Sequence, residues 1–370
     1  MSKEGFRFRN VTLFLLGIIT LFFAIKVLNQ TITPGEISIT YYAKIIFGYF
    51  ALLLSGAGIF LALWLLIGKP KQKIYFQIRK ILLIVSITFI CFYVIEFIAF
   101  PVINSLTRVS KLSKIPAKEF FLDSMMFIVL DYAGDFLKGV FMTLELSLTG
   151  TVIGLLFGMV MVVFRIMKVN PQDNEIVAFF KKLGIGASKL YINVFRGTPM
   201  IVQAVILYYL LPSVLSSWLD IPISEIDKIL TISVSGIIIV SLNTTAYLAE
   251  VLRGGIESVD KGQLEAARSL GLSYPQSMLS VVFPQAIKNS LPAICNEFII
   301  NIKDTSVLNV IGVAELFFVA NAAKHKYYRT YEPFIIVALI YLFLTMTTSK
   351  LLGILERKLN LPAKGLPSSN

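Results

Sequence analysis

Glu265-Ala266-Ala267-Arg268-Ser269-Leu270-Gly271 and the residues that follow it to Pro284 form a polar interruption in an otherwise apolar chain. Just upstream, Asp260-Lys261-Gly262-Gln263 has the spacing of a capping box, with Asp260 as N-cap and Gln263 placed to reach back to it, so a helix should open there. Gly271 should close that helix, because glycine takes the left-handed conformation beyond a helix end without steric cost. Ser273, with Pro275 in the first turn and Gln276 in the box position, opens a second helix. The first is a helix of about ten residues carrying the pair Ala266 and Ala267. Small side chains permit close docking of a partner, although helix propensity alone also accounts for an alanine pair.

The residues on either side belong to a membrane protein. Of 370 residues 56% are hydrophobic and 15% charged, which is far more apolar than a soluble domain of that length needs. Apolar runs at 11–28, 45–67, 81–103, 139–164, 199–218, 230–250, 293–318 and 333–353 approach the ~20 residues that cross a bilayer as a helix. They give an all-α integral membrane protein with eight candidate spans, and they exclude a soluble enzyme. The net charge of +12 follows from Lys and Arg retained in cytoplasmic loops and calls for no nucleic acid. Cys91 and Cys295 fall inside apolar runs and read as small hydrophobes. The basic start, Met1 to Asn10, and the run from Val11 to Leu28 resemble the opening of a signal peptide. Asn29-Gln30-Thr31 supplies no small-residue cleavage site, so an uncleaved span is expected.

Alternate loops collect 22 Lys and Arg on one side and 10 on the other. Positive charge stays cytoplasmic, which puts both termini and the Asp260–Pro284 loop in the cytoplasm. The loop from Asn104 to Lys138 then faces outward. Its stretch from Phe120 to Leu137 reads either as an interfacial helix or as a ninth, irregular span. The chain divides near residue 118: three spans of unassigned role lie in 1–118, five in a core of 119–358, and 359–370 is a short tail. Lys26 and Glu96 lie near span ends, where long side chains snorkel.

Several core residues carry chemical interest. Gly150, Gly154 and Gly158 put a groove along one face of the fourth span, suited to helix packing and, less directly, to lining a path. Tyr191-Ile192-Asn193-Val194-Phe195-Arg196-Gly197-Thr198-Pro199 reads as a helix start at the cytoplasmic boundary of the fifth span. Lys303 and Asp304 lie within the seventh span, where ionised groups need partners or a cavity. Adjacent helical residues diverge by about 100°, so each is expected to find its partner elsewhere. Asn243, Thr244, Thr245 and Tyr247 could meet a zwitterion or serve as helix-to-helix bonds. His325, in a predicted outer loop, is the only histidine and makes neither a metal site nor a triad. No G-x-x-x-x-G-K-S/T phosphate loop is present, so the chain cannot hydrolyse ATP by that means.

Glu265-Ala266-Ala267, three residues, Gly271, nine residues, then Val281-Val282-Phe283-Pro284 resembles the EAA loop of ATP-binding-cassette (ABC) importer permeases. Val281 and Phe283 replace the family's usual isoleucine and leucine. Phe195-Arg196-Gly197-Thr198-Pro199, Ala246-Tyr247 with Glu250 and Arg253-Gly254-Gly255-Ile256, Lys261-Gly262-Gln263, Pro284-Gln285-Ala286 and Lys303-Asp304-Thr305-Ser306 resemble the polar amino-acid uptake branch, over about residues 120 to 358. The resemblance implies a five-helix type I importer core preceded by three extra spans. Gly262, Gln263, Glu265, Ala266, Ala267, Gly271 and Pro284 would form the ATPase-coupling loop. Asn243, Thr244, Thr245, Tyr247, Glu250, Lys303, Asp304, Thr305 and Ser306 would line a substrate path. Implied partners are ABC ATPase subunits that bind the ATP, an extracytoplasmic substrate-binding protein and a second permease subunit; the chain itself would hold no cofactor or metal. An ion-gradient transporter would favour paired repeats and broken helices at matching positions, and a membrane enzyme would need a nucleophile, base or metal set. Neither pattern is found.

Overall fold

The computed structural model describes residues 99–358. The spans at 11–28 and 45–67, most of that at 81–103, Lys26, Cys91, Glu96 and the tail 359–370 lie outside the described residues. The chain forms two compact units, Met1–Ser113 and Lys114–Asn370. Helix α1 (Phe100–Val109) belongs to the first.

The second unit is helical, with no strand among the described residues. In order it runs α2 (Phe121–Asp131), α3 (Ala133–Ile166), α4 (Glu175–Gly197), α5 (Met200–Leu219), α6 (Ile223–Ile229), α7 (Ile232–Glu257), α8 (Lys261–Ser269) and α9 (Tyr274–Ser277). A π-helical turn, Met278–Val282, leads into α10 (Phe283–Asp304); a 3₁₀ segment, Thr305–Ile311, then precedes α11 (Leu316–Tyr327) and α12 (Glu332–Lys358). Four helices, α3, α5, α7 and α12, are long and apolar enough to cross a membrane, and the bent pair containing α10 and α11 makes a fifth if its 51° break falls within one span. Closed hydrogen bonding within each helix is what allows such segments to leave water.

Four expectations are corrected. The expected helix over 120–137 stops at Asp131, and 133–138 belong to α3, which is 34 residues long. The region read as a cytoplasmic loop, 165–198, contains α4, 23 residues with apolar and lysine-bearing faces. The seventh span is not one helix: α10 ends at Asp304, the chain tightens into a 3₁₀ turn, and Gly312 takes φ +88° before α11 begins. His325 is an exposed residue of α11 and not part of a loop.

Three apolar clusters stack along α3. The first joins Phe136 to Met125, Ile128, Leu316, Val319, Ile336 and Val337. The second joins Leu146 to Ala204, Ile239, Val240, Leu308 and Val313, and the third joins Val162 to Leu248, Leu252 and Ile294. Between them α3 and α7 touch almost backbone to backbone. A Cβ at Gly150 would lie 2.4 Å from Val240 Cγ1, one at Gly154 2.9 Å from Thr244 Cβ, and one at Gly158 3.3 Å from the Ala249 amide. Such approach gains dispersion contacts that lipid cannot replace. Asn301 of α10 bridges the pair at mid-length, its Nδ2 donating to Thr151 Oγ1 (2.9 Å) and Thr244 Oγ1 (3.0 Å).

Glu315 ends the 3₁₀ break. It is fully buried, caps α11 by accepting from the amides of Phe317 and Phe318 (2.8 Å each), and accepts from Tyr341 Oη of α12 (2.7 Å). Three donors offset the cost of removing a carboxylate from water.

Gly154→Val is expected to destabilise the detergent-solubilised protein by about 1–3 kcal/mol through overpacking. Gly186, which has nothing within 4 Å of a built Cβ and sits inside α4, should gain up to about 1 kcal/mol as Gly186→Ala. Thermal unfolding of both variants checks the contrast; equal shifts would mean that the α3–α7 contact does not set stability.

Candidate functional site

The site begins at the break between α4 and α5. Contacts of these two helices climb along α3 and α7 in order. Gly184 lies against the Phe164 ring near the end of α3, Tyr191 Oη donates to Leu242 O (2.7 Å), Phe195 O accepts from Asn243, and Ala204 joins Leu146 and Ile239. Arg196-Gly197-Thr198-Pro199 therefore lies level with the middle of α7. The expectation that Arg196 marks a cytoplasmic boundary is corrected, because α4, unseen in the sequence, carries the chain to that height first.

A helix that stops inside an apolar layer leaves carbonyls without partners. Thr198 Oγ1 donates to Val194 O (2.8 Å), and Gln203 Nε2 donates to Phe195 O (2.9 Å) and Thr198 O (3.0 Å). Asn243 Nδ2 then donates to Gln203 Oε1 (2.8 Å). Two buried amides thus close the break and tie α5 to α7.

Of the candidate path residues, Asn243, Thr244 and Thr245 are buried in bonds within the bundle: to Gln203, to Asn301, and to Ser241 O (2.7 Å) respectively. Tyr247 is half-buried, with the Arg196 guanidinium 5.4 Å above its ring. Glu250 is held by Arg165 (3.1 Å) and Arg253 (2.9 Å), and Arg253 reaches on to Glu257 (2.5 Å). This cluster fastens the ends of α3 and α7. Thr305 is buried and donates to Ile302 O (3.1 Å); Ser306 is half-buried. Lys303 and Asp304 are exposed, and neither makes an ion pair among the described residues. The expected partners are absent among the described residues, where both side chains are exposed in the last turn of α10.

Asn289, Asn296 and Lys303, all exposed, recur at seven-residue spacing and so share one face of α10. Glu297 lies beside that face and is close enough to Asp304 and Arg196 for their charges to interact. Glu297, Asn301, Gln203 and Arg165 escaped the sequence reading. A polar residue among apolar ones was the available signal for each.

The Asp260–Pro284 loop is built as two capped turns. Asp260 Oδ1 accepts from the Gly262 amide (2.6 Å). The reciprocal half of the expected capping box is missing: the Gln263 side chain instead accepts from Gln285 Nε2 of α10 (3.4 Å). Gly271 takes φ +89°, and the Gly271→Arg268 (3.0 Å) and Leu272→Ala267 (3.3 Å) backbone bonds make a Schellman end. Ser273 and Gln276 cap α9 reciprocally. Ala267 faces inward, whereas Glu265 and Ala266 are exposed and Leu270 is 85% exposed. Pro284 lies in the first turn of α10, just after the π-helical turn.

At the opposite end, Lys326 Nζ donates to Asp131 Oδ2 (3.0 Å), and Tyr327 Oη bonds the same oxygen. Tyr327 and then Lys326 hold the Asp131 carboxyl below its ordinary range. No cluster of His, Cys, Asp and Glu suited to a metal occurs among the described residues.

A family model described as binding-protein-dependent transport system inner membrane component matches residues 176–361. An arginine transport system permease protein of Bacillus subtilis (strain 168) is 34% identical over 223 residues, covering 60% of this chain and 91% of that protein. A protein of Rickettsia typhi named for glutamine transport is 31% identical, covering 60% of this chain and 92% of its own length. A crystal structure of an amino acid ABC transporter with histidines is 36% identical, with a TM-score of 0.52, over 62% of this chain and 96% of that one.

Gln203→Leu is expected to cost about 1–3 kcal/mol by stranding the carbonyls at the break, and Asn243→Leu a similar amount. The double variant should lose less than the two losses added together, since they share a bond. Unfolding in micelles measures the cycle; strict additivity would show that the two amides are uncoupled.

Proposed function

Because the chain belongs to the family of binding-protein-dependent transport inner membrane components, the multi-pass permease subunits of ABC importers, we propose that it carries a polar amino acid and is driven by a separate ATPase docked on α8. The observation that carries the coupling reading is α8 itself. It is a nine-residue helix closed at both ends by its own caps and fastened to α10 by Gln263 and Gln285. Its exposed Ala266 and Leu270, with Leu279 nearby in the chain at 68% exposure, offer a small apolar surface to a partner.

The mechanism follows from the connection. Gly271, the Ser273 cap and the π-helical turn join α8 to α10 without a slack segment, so a displacement of α8 is passed to the helix that bears Asn296, Glu297, Lys303 and Asp304. ATP can shift such an equilibrium only by binding one conformation more tightly than the other. The polar face of α10, with Tyr247, Thr305 and Ser306, is the reading we favour for the path. A second permease subunit would cover that face, since ionised groups are costly against lipid. An extracytoplasmic binding protein would deliver the solute, ATP would be bound only by the partner, and both termini would lie in the cytoplasm. Relatives named for arginine and glutamine support an amino-acid cargo.

Leu270→Asp is expected to leave the stability to thermal unfolding within about 0.5 kcal/mol of the parent, as for exposed positions generally. It should abolish ATP-driven uptake of radiolabelled arginine, glutamine and histidine in proteoliposomes holding the chain with its ATPase and binding protein. Gly271→Trp should do the same by distorting the end of α8. Full uptake by either well-folded variant would reject docking at α8.

A further inference from the structure

We infer that a cavity at the end of α7 away from α8, where α5, α6 and the start of α7 meet, holds the headgroup of an ethanolamine phospholipid. The cavity has a volume of about 670 Å³, and its walls include Tyr208 and Tyr209 of α5, Asp227 of α6, Thr231 and Ser233. Among the described residues that line it, Asp227 carries the only formal charge, and no Lys or Arg balances it there. Its neighbours Glu225 and Lys228 pair with each other (2.6 Å), while Asp227 makes no ion pair among the described residues. The cavity therefore favours a cation.

The remaining walls narrow the kind of cation. Pro212 lies inside α5 and has no N–H for the Tyr208 carbonyl four residues back, so that oxygen is left without its helical donor. The Tyr208 and Tyr209 rings stand at 77° with centroids 5.0 Å apart, and a cation is drawn to such ring faces. A carboxylate, a carbonyl and the Thr231 hydroxyl all accept N–H bonds, which a primary ammonium supplies and a quaternary one does not. Ser233 adds a hydroxyl and a first-turn amide that no carbonyl within α7 can satisfy. Both suit the phosphate that lies two carbons from an ethanolamine nitrogen.

Depth and surroundings point to a lipid rather than a free amine. Thr231 precedes Asn243 by twelve residues, about 18 Å along α7, and Asn243 braces the α4–α5 break at mid-height. Half the hydrocarbon thickness of a bilayer is about 15 Å, so the cavity lies where headgroups do. Towards mid-height, the α5 face that bears Ser213 and Tyr209 continues through Ile206 and Val202, 52% and 45% exposed. An acyl chain leaving the headgroup site would follow that apolar track. The cytoplasmic placement of α8 proposed above makes this the outer leaflet.

Lipid binding is measured by melting the full chain, purified and delipidated in detergent, with phosphatidylethanolamine, phosphatidylcholine or phosphatidylglycerol of the same short chains. A ligand of the folded state raises the melting temperature according to its affinity. The ethanolamine lipid should bind the parent about tenfold or more tightly than either of the others, the scale of one charge-assisted bond. Asp227→Asn, a change at an exposed position, should keep the lipid-free melt of the parent and lose that preference. O-Phosphoethanolamine, the head without chains, should give no shift where the lipid saturates. Equal protection by the ethanolamine and choline lipids, no protection by the former, or a preference kept by Asp227→Asn overturns the assignment. Protection by O-phosphoethanolamine equal to that by the lipid makes the ligand a free solute and overturns it too. So does a disulfide between two copies of Asp227→Cys in native membranes, which would put a second chain over the cavity. None of these readouts involves transport, so the amino-acid reading stands or falls separately.

Discussion

The amide of Gln203 carries a burden out of proportion to its size. Backbone polar groups cannot be left unpaired away from water, yet the chain breaks between α4 and α5 at Gly197–Pro199. Phe195 O and Thr198 O are satisfied only because Gln203 folds back to them and Asn243 fixes Gln203 from α7. Once that break is tolerated, Arg196 is held at mid-height, α5 is directed against the 3₁₀ segment, and a polar region can exist inside an apolar bundle. The same solution recurs at Glu315, where a carboxylate closes the interruption between Gly312 and α11. Both breaks face α7, which is the most buried of the candidate spans.

Function is divided along the length of the bundle. At one end α8, α9 and the π-helical turn make a stiff, exposed lever rooted in α10. At the other, Asp131, Lys326 and Tyr327 bind α2 to α11. Between them α10 runs from Phe283 to Asp304, so the helix joined to the Asp260–Pro284 loop also bears the polar face at mid-height. The Arg165–Glu250–Arg253–Glu257 cluster lies on the coupling-loop side, where it fastens α3 to α7. Its residues are ion-pair partners to one another.

Much of this was legible in the sequence, and the exceptions have physical causes. The limits of α8 followed from Asp260 and Gly271 because capping and positive φ are local chemistry. The Gly150, Gly154 and Gly158 ladder announced a close approach, although not its partner. Helix α4 escaped because Lys181, Lys182 and Lys189 dilute its apolar residues below the level of a span, while Phe179, Phe180, Leu183 and Leu190 remain on its exposed surface. The Asp260 and Gln263 box was half right: a tertiary donor, the Gln285 side-chain amide, competed successfully for the Gln263 side-chain oxygen. Asn243, Thr244 and Thr245 read equally as path or glue. The bonds they make go to Gln203 and Asn301, 40 and 57 residues away, which no local pattern reveals, and to Ser241, one turn away.

The glycine ladder has a property that its tight packing conceals. Gly150, Gly154 and Gly158 repeat every four residues, and so do Val240, Thr244 and Leu248 across from them. A slip of four residues, about 6 Å, would bring Gly154 to Val240, Gly158 to Thr244 and Gly150 to Gly236, and only Leu248, then opposite Val162, would lose its glycine. Along the glycines themselves, shape therefore opposes a slip at one end of the ladder only. Asn301 removes the ambiguity, because Thr151 and Thr244 can share its amide in one alignment only. A single asparagine from a third helix acts as the pin that stops two smooth rods from shifting by a notch.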